Sequence, residues 1–295
     1  MDWQAFLASI KNLNYGYIPL IFLWGSSSSW IRALRWRVLL AIEKDIPAKN
    51  VFWANMAGYL GNTILPARAG ELIRAAYVSR ENNIPASFSL ATGLVERFID
   101  LVALVILGSF SLSIAGILSK PLEGALRTIS IIAVLGTIAL LIAPYLGDKA
   151  HPVLNSLPLL SASAKEKLAG MLKQFLRGIE ALHHPRRAFG FILFTCVIWL
   201  MDALGTIILA RSLHLEFILS QAFLLLAGLG LSSAIPSTPG YVGVYQFVAV
   251  IVLQPFGVSK ADALAFIILL QVANLLMIAF WGLLAAWRRL PAAQS

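Results

Sequence analysis

The chain has 295 residues, of which 59% are hydrophobic and only 13% charged, with a mean hydropathy of +0.81. A soluble domain carries roughly a quarter charged residues, so this composition excludes that class and points to the membrane. The net charge of +9, from 23 Lys and Arg against 14 Asp and Glu, is carried mostly between apolar segments, which suits anionic lipid headgroups and an orientation bias and excludes nucleic acid as the expected partner.

In chain order, the first strong segment is Tyr15–Val38, which ends in Arg32, Arg35 and Arg37 around Trp30 and Trp36. That ending predicts a membrane helix meeting an aromatic and basic interface. The segment is too long for a signal peptide and has no cleavage context. After Pro47 a shorter apolar helix is expected over Ala48–Ile64, broken by Pro66 and Gly70 and followed by a polar-ended helix over Glu71–Glu81. Pro85 stands where a helix would start and leads into Ala86–Leu112, which carries Glu96, Arg97 and Asp100. Thr128–Leu146 reads as a plain span. It belongs with the other charge-free stretches, which match a hydrocarbon core that takes about 20 helical residues to cross.

Ser163-Ala-Lys-Glu166 has the spacing of a capping box, with Ser163 as the cap. Leu168, Leu172, Phe175, Ile179 and Leu182 follow at helical intervals among Lys165, Lys173, Arg177 and Glu180, which predicts an amphipathic helix lying at the interface. His183 and His184 have no further ligand at a useful spacing, so neither a metal nor any other cofactor is expected. Ala188–Ala210 crosses again, carrying Asp202 and a single cysteine, Cys196, expected as a small buried hydrophobe. Phe217–Ile235, breaks at Pro236 and Pro239-Gly240, Val242–Leu253 and a final span Ala263–Trp287 complete the chain.

The two breaks correspond. Asn62-Thr-Ile-Leu-Pro66-Ala-Arg68-Ala-Gly70 aligns with Ser232-Ser233-Ala-Ile-Pro236-Ser-Thr238-Pro239-Gly240 at an offset of 170, and the flanking spans fall into register with it. Gly/Pro-interrupted short segments at matching positions point to inverted repeats around a midplane site. The expected fold is therefore all-α and membrane-integral, as one transmembrane domain. It has about five spans, two re-entrant hairpins and the interfacial helix: a first repeat over 13–115, a linking span at 125–147, an amphipathic helix at 163–183 and a second repeat over 188–290. Between Pro144 and Ala188 seven basic residues face three acidic ones, which places that loop in the cytoplasm. Walking outwards from it, each basic cluster lands inside and the N-terminus outside.

Ionisable groups within hydrocarbon are costly unless paired or lining water. Arg97 and Asp100 form an i,i+3 pair, whereas Glu96 and Asp100 repel at i,i+4 and call for another cation, with Arg68 and Arg74 as candidates. Two readings stay open: a static ion network pinning the hairpin to the helix, or a gated one that releases a cation to substrate. Arg68, just before a helix start, suits a phosphate or other anion, with Glu71 or Glu96 as its structural alternative. The second break offers Ser233, Thr238 and Gly240, hydroxyls and backbone without charge. Asp202 has no local partner and fits an arginine across the repeat interface or a proton site, and Gln246 adds polarity to the second hairpin. No nucleotide-binding, serine-hydrolase or zinc-protease motif is present, so no catalytic residues are assigned.

At Arg35-Trp36, at Asn62–Glu71 with Arg74, at Glu96-Arg97 with Asp100, and at Pro236-Ser-Thr-Pro239-Gly240 with Gly243, the chain resembles the lysylphosphatidylglycerol synthase transmembrane region, a flippase-like family of integral membrane proteins. The resemblance covers roughly residues 13–290. It implies translocation of an anionic or aminoacylated phospholipid, or of a polyprenyl-phosphate-linked lipid. It does not imply synthesis of lysylphosphatidylglycerol, which belongs to a separate domain of some relatives. Relatives often have Gly-Gly and then Glu where Gly240-Tyr241 and Gln246 stand, so proton coupling through the second hairpin is not implied. The expectation is a lipid transporter in a bacterial-type cytoplasmic membrane, with Arg68 binding the headgroup, Arg74 assisting, and Glu71, Ser233, Thr238 and Gly240 completing the substrate site. The alternatives are a membrane enzyme acting on polyprenyl-phosphate lipids and an accessory membrane subunit.

Overall fold

The computed structural model describes residues 13–65, 68–115, 162–233 and 238–288, together with positions 11, 128, 131, 135, 136 and 138. The expected breaks at Pro66 and Pro236 and almost all of the linking span lie outside the described residues. All regular structure described is helical: α1 (Tyr17–Leu40), α2 (Ala48–Ile64), α3 (Gly70–Asn82), α4 (Ala86–Ala115), α5 (Ala162–Glu180), α6 (Pro185–Ser212), α7 (Leu219–Ser232), α8 (Val244–Leu253) and α9 (Lys260–Trp287). Pro185 opens α6 at a position where its missing N–H costs nothing, and Ser259 caps α9 by accepting from the Asp262 N–H at 3.1 Å.

Among the described residues three helices, α4, α6 and α9, are long and apolar enough to cross a membrane. They are three of the five expected spans, and the linking span lies outside the described residues. α1 has 24 residues, but Ser26–Ser29 with Arg32, Arg35 and Arg37 dilute its apolar character. Large apolar side chains face outwards along all three, among them Phe110 and Ile114 on α4, Phe189 and Ile192 on α6, and Leu276 and Leu283 on α9. Such faces are favourable against lipid and costly against water, so the protein is a multi-pass membrane protein. Cys196 also faces outwards on α6, contrary to the expected burial. α5 is strongly amphipathic as expected, but it begins at Ala162, which puts Ser163 inside the helix and not at its cap.

The helix order repeats. A long helix, two short ones and a long one (α1–α4) recur as α6–α9 with boundaries close to the 170-residue offset. The packing repeats as well: α2 lies on α9 of the other half, and α7 lies on α4. α1 and α6 run antiparallel, because Trp24 meets Gly205, Ser28 and Arg32 meet Asp202, and Arg35 meets Thr195. Gly108 on α4 packs directly on Ala227 of α7.

The α2–α3 pair is closed by glycine. A Cβ at Gly61 would stand 2.6 Å from Ile73 Cδ1 and 2.9 Å from the Gly70 Cα, and one at Gly58 would meet the Gly70 carbonyl at 2.9 Å. Small residues let backbones approach where no hydrophobic drive separates helix from lipid. Gly61→Val is therefore expected to destabilise the fold by about 1–3 kcal/mol. Gly170→Ala, at a position with nothing within 4 Å, should leave stability unchanged or slightly higher. Melting temperatures of the two variants in detergent check this.

Candidate functional site

Three arginines and three carboxylates meet between α1, α3 and α4. Arg35 is 1% exposed and lies over the Glu96–Asp100 face of α4. Its Nη1 donates to Asp100 Oδ1 at 2.6 Å, its Nη2 to Asp100 Oδ2 and Glu96 Oε1 at 2.9 Å each, and its Nε to Glu96 Oε1 at 3.1 Å. The planar fork of donors lets one guanidinium neutralise the i,i+4 repulsion of two acids, which a single ammonium could not match in geometry. Arg74, 2% exposed, takes the other Glu96 oxygen at 2.9 Å and Glu71 Oε2 at 3.2 Å. Arg97 donates to Glu71 Oε1 at 2.9 Å and lies 3.8 Å from Asp100.

Aromatic and small residues hold this network in place. The Arg74 guanidinium lies 4.1 Å from the centroid of the Trp36 ring, and the Trp36 Nε1–H donates to Thr92 Oγ1 at 3.0 Å. Gly93 makes room for the same guanidinium, since a Cβ there would stand 2.6 Å from Arg74 Nη2. From α2, Asn55 Oδ1 accepts from Arg74 at 3.3 Å and the Asn62 amide donates to Glu71 at 3.4 Å. α5 closes over one edge: Gly178 packs on Thr92, and Arg177 pairs with Glu43 at 2.8 Å.

Arg68 takes no part in that network. It turns instead to the second hairpin, where its Nε donates to the Tyr241 hydroxyl at 3.0 Å and its Nη2 to Ser233 Oγ at 2.5 Å. Among the described residues its partners are all uncharged. Its backbone is left-handed (φ 54°), as is that of Tyr241 (φ 57°), and Gly240 and Gly243 on the facing break also have positive φ. Left-handed backbone at a large side chain is unfavourable by about 1–2 kcal/mol, and such positions cluster at functional sites. The Tyr241 and Tyr245 rings stack at 4.9 Å behind Arg68.

Gln246 closes a neutral relay around the second break. Its Oε1 accepts from the Gly243 N–H at 2.7 Å, its amide donates to Gln271 at 2.6 Å, and the Gln271 amide donates to the Gly240 carbonyl at 2.8 Å. Thr238 is exposed; its hydroxyl donates to the Val242 carbonyl at 2.7 Å and its carbonyl accepts from the N–H of Tyr241, Arg68's partner, at 2.9 Å. Pro239 opens the short 3-10 turn that carries Tyr241. Asp202 pairs with Arg32 across the crossing of α1 and α6 and accepts from Ser28 at 2.7 Å. Arg32 and Asp202 occupy matching positions at the 170-residue offset.

The comparisons with known proteins fit this arrangement. The family model of the lysylphosphatidylglycerol synthase transmembrane region matches residues 1–282. The chain belongs to this family. It is 26% identical over 277 residues to Glycosyltransferase AglD of Haloferax volcanii, covering 80% of this chain but only 43% of that protein. It is also 26% identical over 224 residues to a UPF0104 membrane protein of Methanocaldococcus jannaschii, covering 75% of this chain and 90% of the relative. A second UPF0104 protein of that organism is 33% identical over 92 residues, 30% of this chain and 27% of the relative. No solved structure matches. Membership supports a general lipid-handling role at the membrane.

The sequence joins Arg74 to Glu96, Arg97 and Asp100, but it assigns Glu71 to the substrate site or to Arg68 and leaves Arg35 at the interface, whereas the structure puts both Glu71 and Arg35 in this network. A charge count held the clue: three acids faced two arginines once Arg68 was set aside. Arg74, expected to assist at a headgroup, is instead enclosed between Glu71, Glu96 and Trp36. Tyr241, which meets Arg68, was not singled out either. Removing one partner of a buried pair strands the other, so Arg35→Met should destabilise the protein by about 3–5 kcal/mol. Arg35→Lys should recover only part of this, because it cannot bridge both acids. Thermal unfolding in detergent measures both.

Proposed function

We propose that the protein moves a lipid with an anionic or phosphate-linked headgroup between the leaflets of a cell membrane, of the bacterial cytoplasmic type, and that Arg68 receives the headgroup. The observation that carries this reading is Arg68 itself: a half-buried cation with no carboxylate partner among the described residues, at the meeting point of the two interrupted hairpins. Ser233 and Tyr241 hold it through hydroxyls, which an anion can displace at far lower cost than it could displace a carboxylate. The substrate class is an anionic phospholipid or a polyprenyl-phosphate-linked lipid. Thr238 and Gly240 form the uncharged wall beside it.

In this reading α2–α3 and α7–α8 are re-entrant hairpins. Their helices have 17, 13, 14 and 10 residues, short of the roughly 20 needed to cross. The antiparallel crossing of α1 and α6, and the exchange of short helices between halves, support two inverted repeats around the Arg32–Asp202 pair. The Glu96, Arg97 and Asp100 network fixes the first hairpin, and the glycines of the second break permit the rearrangement that exposes the site to each side in turn.

An enzyme is less well supported. Among the described residues Glu71, Glu96, Asp100 and Asp202 are each paired with an arginine, which leaves none of them poised as a base beside Arg68. The activity named for the Haloferax relative belongs to a protein of which this chain spans 43%.

Reconstituted in liposomes, Arg68→Ala should slow translocation of an anionic-headgroup lipid by about 10- to 100-fold, the equivalent of one lost charge-assisted contact, while its melting temperature stays near wild type. Equal rates for the two proteins would remove Arg68 from the mechanism.

A further inference from the structure

A second basic site lies at the opposite end of α3. A cavity of about 310 Å³ is lined by Tyr77, Arg80, Glu81 and Arg288, between the C-terminal ends of α3 and α9. Arg80 lies ten residues along α3 from Gly70, about 15 Å along the axis, and Arg68 stands before that helix start. Arg80 and Arg288 are exposed, whereas Tyr77 is buried behind them. The Arg288 guanidinium is already placed, 4.7 Å from the centroid of the Trp53 ring, and Trp53 packs against Phe52 and Trp281.

The surroundings identify the kind of surface. Lys44 donates to the Asn82 carbonyl at the end of α3, Arg37 to the Ile46 carbonyl ahead of α2, and Arg177 of α5 pairs with Glu43. The C-terminal ends of α1, α3 and α9 therefore share one basic face with α5, beside a cluster of tryptophans. Basic residues interleaved with Trp at helix ends are the signature of a headgroup layer, and basic pockets between membrane helices hold phosphate-bearing headgroups.

We propose that this cavity binds a phosphodiester at the basic face of the protein, as a site separate from Arg68 and not on the transport route. Among the described residues of the lining, two guanidiniums against the one carboxylate of Glu81 leave a single net positive charge. That matches the single negative charge of a phosphodiester better than the two charges of a phosphomonoester. Arg80 and Arg288 approach the phosphate from opposite helices, so occupancy ties α3 of the first half to α9 of the second. A bilayer phospholipid and a soluble glycerophosphodiester share this chemistry.

The purified full chain in detergent distinguishes them by direct binding of three probes: dihexanoyl phosphatidylglycerol, glycerophosphoglycerol and inorganic phosphate. In an Arg68→Ala background, which removes the headgroup site proposed above, the protein is expected to bind a phosphodiester more tightly than inorganic phosphate. Adding Arg80→Gln/Arg288→Gln should weaken that binding at least about tenfold, and adding Arg80→Lys/Arg288→Lys should be intermediate. Tighter binding of the acylated probe identifies a bilayer lipid; equal binding of the deacylated one identifies a soluble ligand of the same site. Unchanged affinity when the double glutamine change is added to Arg68→Ala, or no phosphodiester binding by Arg68→Ala itself, would overturn the proposal. Arg68 is absent from every protein compared, so failure here leaves the reading of Arg68 standing.

Discussion

Arg35 lies in an apolar helix bundle with one guanidinium spread over two carboxylates, and the arrangement of the first half depends on it. Glu96 and Asp100 are one turn apart on α4 and almost fully buried, a placement that would be unfavourable by several kcal/mol without a cation between them. By bridging both, Arg35 fixes the rotation of α1 against α4. The remaining Glu96 oxygen then sits where Arg74 can reach it, and Arg74 brings Glu71 and so the start of α3. The charges close on themselves, three against three. Arg68, which precedes this helix by only two residues, is left outside that balance and meets hydroxyls instead.

The two halves are alike in architecture and unlike in chemistry. At the 170-residue offset, Arg35, Glu96 and Asp100 correspond to Gly205, Phe266 and Leu270, and Glu71 and Arg74 to Tyr241 and Val244. The first hairpin is held by charge-assisted contacts, whereas the second is held by the amide relay of Gln246 and Gln271 and by packing such as that of Gly228 on Val248. Neutral hydrogen bonds are roughly half as strong as charged ones. In the proposed transport cycle a rearrangement would therefore meet the lower barrier on the second side of the junction, which is also where the positive-φ glycines lie.

Much of this was legible in the sequence, because burial of charge in an apolar chain is so restricted that each acid demands a partner. The helix boundaries came within a few residues, and the repeat offset is visible in the prolines and glycines of the two breaks. For Asp202 the sequence left open a proton site or an arginine across the halves; the structure pairs it with Arg32, which the sequence alone did not single out. What escaped had physical reasons. Arg35 sits among Arg32 and Arg37 at a helix end, where charge-patterning rules assign arginine to the headgroups, and only the tertiary crossing of α1 over α4 turns it inwards. Tyr241 escaped because its role comes from a left-handed turn that places its hydroxyl beside Arg68, and local composition does not encode that.

The central claim is that Arg68 exchanges its hydroxyl partners for a lipid headgroup. The most direct measurement is a cryo-electron microscopy structure of the protein in nanodiscs rich in an anionic phospholipid. The account predicts a headgroup phosphate within hydrogen-bonding distance of the Arg68 guanidinium, with the contact to Ser233 or Tyr241 broken and the Arg35, Glu96 and Asp100 contacts intact. An Arg68 still held by both hydroxyls, with lipid bound only elsewhere, would contradict it.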